Sequence, residues 1–386
     1  MNASPPLRPA SARAFTVEVS FDSAEVSSQW AELEKRGTPF QTRAWLLPWR
    51  RIVAPKFGAT PIYVTVRDRP TQRAVMFLPL CRRRWRGLAT IEFPDLDLSD
   101  YNAPLTAPDL DLGAAEMRDL WDQICRALPP ADIVRFDKVP STFRGRDNPI
   151  ARLEWMRRSE LCAWELCLPA KRELYDESTL DRKTRKEHRR KRKHLVERVG
   201  AFELCHAATP SDGEAIFDAL RNQRGERFRR NGRNDALVDP CFLAFYRAVI
   251  FDEWSPFVDL SALKAGDTIL AALFALRPEG AYLLLMHSFE PALEAVSPGI
   301  VAIDEMITRV IESGDRYFDF TIGNEAYKRE FGVRAMPLAS GLYPLSLCGR
   351  VYVAAYACAK RGKDALLAFG DRFSRPWRPA WPNKRR

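Results

Sequence analysis

No stretch of the sequence reaches the roughly 18 consecutive apolar residues that a membrane-spanning helix needs. The longest late apolar run, Val351 to Ala359, stops after nine residues at Lys360-Arg361 and reads as a C-terminal helix packed on the body. Eight cysteines, at 81, 125, 162, 167, 205, 241, 348 and 358, include no C-x-x-C, and the four histidines are not set at ligand spacing near them. That pattern argues against the common zinc frameworks. Residues 1–14 hold proline, alanine, serine and two arginines but no apolar signal segment. They read as a loose tail, and the cysteines as reduced cytoplasmic thiols. The absence of G-x-S-x-G, of a P-loop and of H-E-x-x-H counts against serine hydrolases, NTPases and zincins of those standard types.

What is present is ordinary globular material. At 386 residues and 46% hydrophobic composition, the chain can bury two cores. Segments 16–19, 62–66, 75–80 and 132–138 read as strands, and 29–35 and 114–128 as helices. A second unit begins with a strand at 162–168 and continues through a basic helix, a strand at 201–205 and a helix at 212–223. A polar loop, RGERFRRNGRNDALVDP, precedes a helix at 241–251 and strands at 257–264, 268–277 and 280–288. Charge is uneven: from Arg182 to Arg198 there are ten Lys or Arg against Glu187 and Glu197, close to the whole chain's excess of +10. Such a run is a solvated helical face or a site for an anionic substrate, a nucleic-acid backbone or an acidic partner. It lacks the interleaved aromatics of a single-strand stacking platform. The end, RFSRPWRPAWPNKRR, reads either as a basic tail or as a contact for an anionic membrane surface.

The densest information lies between Ser297 and Gly332. Ser297-Pro298-Gly299 opens an amphipathic helix with Ile300, Ile303, Met306, Ile307, Val310 and Ile311 at helical spacing, ended by Ser313-Gly314. Tyr317, Phe318 and Phe320 then make a buried strand interrupted by Asp319, Gly323 breaks it, and Asn324 is placed to cap a helix carrying Tyr327, Lys328 and Phe331.

This order resembles the second half of a GNAT-type (GCN5-related) N-acyltransferase. The wording of the motif is similar to acetyltransferase-like proteins linked to bacterial cellulose and exopolysaccharide synthesis, themselves relatives of the Fem-type aminoacyl transferases. Weaker agreement covers Pro39-Phe40-Gln41-Thr42 with Trp45 and Trp49, Ser99-Asp100-Tyr101, and the basic helix. The resemblance implies an α/β chain with two tandem GNAT-like domains built on mixed central sheets. Its divisions would be a tail (1–14), an N-terminal domain (15–164), a C-terminal acetyltransferase domain (165–345), and a C-terminal helix with a basic tail (346–386).

The activity implied is direct transfer from acyl-CoA to an amine of a sugar or cell-envelope precursor, in the cytoplasm. The alternatives are Fem-like aminoacyl transfer from tRNA, or a silent scaffold subunit associated with a membrane-bound polysaccharide synthase. By resemblance, Tyr327 protonates the leaving thiolate and Lys328 neutralises charge on the donor; Asp319, from the alternation of its strand, is a pocket base or a turn acceptor. Ser297, Gly299 and Ile300 would meet the donor's phosphates, with Ser288 on the neighbouring strand. Asp100, Tyr101, Arg224 and His287 would contact substrate, His287 being a second candidate base. Arg227 and Arg229 join Arg224 as possible clamps for a phosphate or carboxylate. The turn departs from the family pattern: it has one glycine, and Pro298 has no N–H to offer an anion.

Overall fold

The computed structural model describes residues 14–232, 235–252 and 257–373, with side chains as far as Lys360. The expected N-terminal tail, but for its last residue, and the Arg/Trp/Pro-rich end beyond Phe373 lie outside the described residues.

The strands in chain order are β1 Phe15–Ser20, β2 Thr60–Asp68, β3 Ala74–Trp85, β4 Leu88–Glu92, β5 Leu105–Thr106, β6 Ile133–Pro140, β7 Thr142–Phe143, β8 Arg146–Asp147, β9 Arg157–Cys167, β10 Glu203–His206, β11 Val258–Ala265, β12 Thr268–Leu276, β13 Ala281–Phe289, β14 Tyr317–Ile322 and β15 Arg334–Pro344. Thirteen of them form one mixed sheet, ordered β1-β2-β3-β4-β6-β15-β9-β14-β13-β12-β11-β10 with β5 on β3. The α/β class expected from the sequence is observed, but as a single continuous sheet.

Within that sheet the two halves repeat one plan. An antiparallel run ends in a parallel pair, β4 with β6 in one half and β13 with β14 in the other. Each pair is joined through a helix, Ala114–Ala127 or Pro298–Glu312, as a parallel connection requires. The closing strands are exchanged: β9 pairs with β14, β15 pairs with β6, and β9 and β15 pair with each other. The boundary expected at residue 164 therefore falls inside β9.

Packing follows the hydrophobic pattern. The helix Pro298–Glu312 buries Ile303, Met306, Ile307, Val310 and Ile311 against the second half of the sheet. Trp45, from the N-terminal half, meets Phe245 edge-on at 5.1 Å, so one core continues between the halves.

Three local expectations are corrected. The polar segment after Gln223 is helical as far as Arg230, within a helix Pro210–Arg230, held by Glu226 pairing with both Arg229 and Arg230 and by Arg224 on Asp235. Asn324 does not cap a helix: the segment Ala326–Phe331 is a 3-10 turn preceded by Glu325, without a side-chain cap bond. The C-terminal helix, Leu347–Phe373, is longer than the apolar run and leaves Leu347, Val351 and Tyr356 exposed.

Candidate functional site

The parallel strands β13 and β14 pair only over Ala281–Leu283 with Tyr317–Asp319 and then part. Two features force the separation. β13 carries a bulge at Leu285, between the pairs Phe274↔Met286 and Ala275↔Leu284, which re-aims its remaining residues. In β14, Thr321 sits at a left-handed φ of 56°, and its hydroxyl donates to the Leu284 carbonyl at 3.3 Å. The cost of such a conformation in a β-branched residue marks a place where surrounding contacts over-determine the backbone.

Asp319 sits at the branch point, wholly buried. Its carboxylate accepts from the Tyr101 hydroxyl at 2.7 and 2.9 Å and from the Thr321 N–H at 2.7 Å. Burial pushes its pKa up to about 7, against the hydrogen bonds from Tyr101 and Thr321 that favour the anion. The bond to Tyr101 spans the halves, so two segments singled out in the sequence meet here. The Tyr101 loop is fixed from below: Gln41 donates to the Tyr101 carbonyl at 2.9 Å and Trp45 to the Ser99 hydroxyl at 3.2 Å. Lys138 reaches Asp95 at 3.1 Å and the Ser99 carbonyl at 3.0 Å.

Asp100 is half-buried on that loop. Its pKa is raised by burial, opposed by the charge of Lys138, the nearby Thr321 side chain and the charge of Lys328. Lys328 is 3% exposed. Its ammonium donates to the carbonyls of Ile322 at 2.9 Å and Gly323 at 3.4 Å and pairs with Glu325 at 3.1 Å. The structure thus puts Lys328 on the end of β14, where its three protons have partners. Gly323 is required at this turn, since its φ is 130° and a Cβ would fall 2.2 Å from the Glu325 carboxylate.

Tyr327 projects into the gap between the strands, its hydroxyl 3.3 Å from His287 Nδ1 on β13. Burial raises the phenol pKa, keeping it a proton donor. The opposite applies to His287: burial, then Arg227, Arg224 and Lys328, lower it to about 3, so the imidazole is neutral at physiological pH. Arg224 is committed to Asp235 at 2.8 Å. Arg227 lies 5.6 Å from the Phe289 ring, and its pKa is lowered by burial and by Arg224. No carboxylate ion-pairs with it among the described residues.

The donor turn is less open than the resemblance implies. Pro298 and Gly299 are buried, and a Cβ on Gly299 would lie 3.0 Å from Phe289. The N–H groups of Ile300 and Val301 both donate to the Ser297 carbonyl, at 3.1 and 3.3 Å. Gly299 therefore holds the one N–H of this first turn that is left for an anion. Ser288 is turned away from the gap, its buried hydroxyl donating to Gln223 at 2.8 Å.

Reading the sequence missed Lys138, Gln223 and the role of Gln41, each a polar residue beside other polar residues whose partners are distant in the chain. Beside Lys138 a cavity of about 720 Å³ is lined by residues of both halves, including Asp95, Asn102, Arg135 and Phe242.

Residues 182–329 match the family model of the acetyltransferase (GNAT) domain. No curated protein matches the sequence. Among solved structures, FemX shares 10% identity at a TM-score of 0.59, over 87% of this chain and 98% of its own. A conserved protein of unknown function from Bacteroides thetaiotaomicron shares 11% at 0.51, over 86% and 100%. The C-terminal domain of the lysylphosphatidylglycerol synthetase assigned in Agrobacterium fabrum shares 10% at 0.51, over 86% and 96%. At these identities the likeness is one of fold.

Proposed function

We propose, from the premise that the chain carries a GNAT acetyltransferase domain at residues 182–329, that it transfers an acyl group to an amine between the parted strands β13 and β14. The observation that carries this reading is the Tyr327 phenol set in that gap against a neutral His287. The amine attacks the donor carbonyl, a C–N bond forms and the bond to the departing sulfur or oxygen breaks. Tyr327 gives its proton to the leaving atom, oriented through His287. Asp100, beside Thr321 and with its pKa raised by burial, receives the amine's proton. Lys328 and Asp319 act as positioning residues, one holding the end of β14 and the other joining it to the Tyr101 loop. Arg227 meets an anionic group of a substrate. The acceptor is an amine on a sugar or cell-envelope precursor.

The donor turn favours a second reading of the acyl source. With a single N–H left at the start of the helix Pro298–Glu312, the turn has little to wrap an acyl-CoA pyrophosphate. The neighbouring helix Arg182–Val199 exposes Arg182, Lys186, Arg189 and Lys193 at spacings of three and four. This ridge of about 16 Å suits an RNA backbone, and Lys191 of the same helix pairs with Glu330 beside the Tyr327 turn at 2.5 Å. Aminoacyl-tRNA is the donor of this reading.

Calorimetric titration with acetyl-CoA and longer acyl-CoAs, beside Tyr327→Phe, tests the first donor. Micromolar binding with loss of turnover in the variant supports it. No heat from any acyl-CoA, together with tRNA binding that weakens steeply with salt and on reversing Arg182, Lys186 and Arg189, supports the second. No turnover with either donor class would sink the enzymatic reading and leave a scaffold.

A further inference from the structure

Between Leu347 and Ala359 the C-terminal helix is apolar on two opposite faces, and the body covers only the first turns of one, at Gly349 and Tyr352. On the inner face Gly349 is packed so closely on Asp132 that a Cβ would meet its carbonyl. Tyr352 is edge-on to Trp85 at 5.8 Å, and Tyr356 and Ala359 face Leu161 across a cavity of about 500 Å³. On the outer face Leu347, Val351, Ala354, Ala355 and Cys358 fall within one helical stripe, and all are exposed. Leu347 and Val351 are 77% and 71% accessible.

At the root of this helix, reached through Tyr352 and Trp85, stands the β3–β4 hairpin, Arg82-Arg83-Arg84-Trp85-Arg86-Gly87. Arg82, Arg84 and Arg86 are exposed. Arg82 donates to the Pro130 carbonyl at 2.8 Å and Arg84 to Gly87 at 3.2 Å, so among the described residues their charges are not neutralised by ion pairs. Arg86 and Arg135 both lie over the Trp85 ring, at 5.1 and 4.6 Å. From Lys360 onward the sequence carries nine Lys or Arg against Asp364 and Asp371. Aliphatic residues on a helix, an aromatic pair at its root and exposed arginines beside that pair form the combination that partitions into the headgroup boundary of an anionic bilayer.

We infer that the outer face of the C-terminal helix and the Arg82–Gly87 hairpin dock the protein on an anionic phospholipid surface, lying on it and not across it. A second copy is a poorer occupant, because it would bring the same basic hairpin and basic end together. This inference is independent of the donor and of the transfer reaction.

The test is co-sedimentation of the full-length protein with phosphatidylcholine vesicles, with and without phosphatidylglycerol. Binding at least about tenfold stronger to the anionic vesicles and weakened by salt is expected. Leu347→Glu with Val351→Glu should abolish it, and Arg84→Glu with Arg86→Glu should weaken it severalfold, both with unchanged circular dichroism. Reversal of Arg182, Lys186 and Arg189 on the distant basic helix should leave it intact. Failure to bind, or binding that survives Leu347→Glu with Val351→Glu, overturns the proposal. So does a concentration-dependent dimer dispersed by that pair of substitutions, which would give the face to a second copy.

Discussion

Asp319 shows how a single carboxylate ties the site to the stability of the whole chain. With its pKa raised to about 7 in the fold and near 3.9 when unfolded, the native state holds a proton that the unfolded state has released between those values. Stability from this group is full below about pH 4 and is lost as pH rises to about 7. His287, lowered to about 3, acts in the opposite sense, losing stability as pH falls through its unfolded value of about 6.5. Asp319→Asn separates the two: the stability of wild type relative to the variant should fall by up to about 1.4 kcal/mol per pH unit across that window. Urea unfolding at several pH values measures it, and a pH-independent difference would refute the shift. Tyr327 makes a different demand. If its phenol is the acid, Tyr327→Phe should lower kcat on the order of 10²-fold and leave KM nearly unchanged, because the ring packing against His287 at 4.8 Å survives. A rise in KM alone would make Tyr327 a binding residue.

Among the elements, β15 is the one that the sequence hid most completely. Arg334–Pro344 contains two prolines, a glycine and no clean alternation, which reads against a central strand. Pairing on both edges overrides that weakness, and the irregularities fall at Pro337/Ala339 and Ala339/Gly341. Gly341 is where the strand presses on Trp155: a Cβ there would lie 2.6 Å from the indole and 2.8 Å from its carbonyl. Gly341→Ala should cost about 1–3 kcal/mol by overpacking, read as a lower urea midpoint. An unchanged midpoint would mean that β15 is not seated as described. By contrast the helix Pro298–Glu312 and strand β14 were legible residue by residue, because helical periodicity and an aromatic run are local signals. Asn324 misled for the same reason: its capping preference is local, whereas the turn is shaped by Lys328 reaching back to Ile322 and Gly323. The extension of Pro210–Arg230 was obscured by Gly225 and a cluster of arginines, whose carboxylate partners the spacing alone did not reveal.

At the scale of the molecule, the sequence supports two α/β units, but their closing strands cross over. β9, read in the sequence as the opening strand of the second unit although most of it precedes residue 164, pairs with β14, and β15, from the end of the second unit, returns to pair with β6 of the first. A linear reading finds the units and their shared strand-helix order, because both are written within single segments. It opens the second unit with the strand at 162–168, where β9 does pair, but it cannot find the return of β15 to β6, because nothing local to 334–344 names a partner so far back in the chain. The exchange has a thermodynamic consequence. Neither unit can unfold without breaking a ladder of the other and exposing the core continuous through Trp45 and Phe245. Scanning calorimetry should therefore give one transition, with calorimetric and van't Hoff enthalpies agreeing, although a chain of this length is usually expected to melt in parts. Asp319→Asn and Gly341→Ala, one at the junction of β14 with the Tyr101 loop and one in β15, should shift that transition without splitting it. Two resolved transitions, or a first unit ending before β9 that folds stably alone, would show that the exchanged strands are accessories to domains that already stand by themselves.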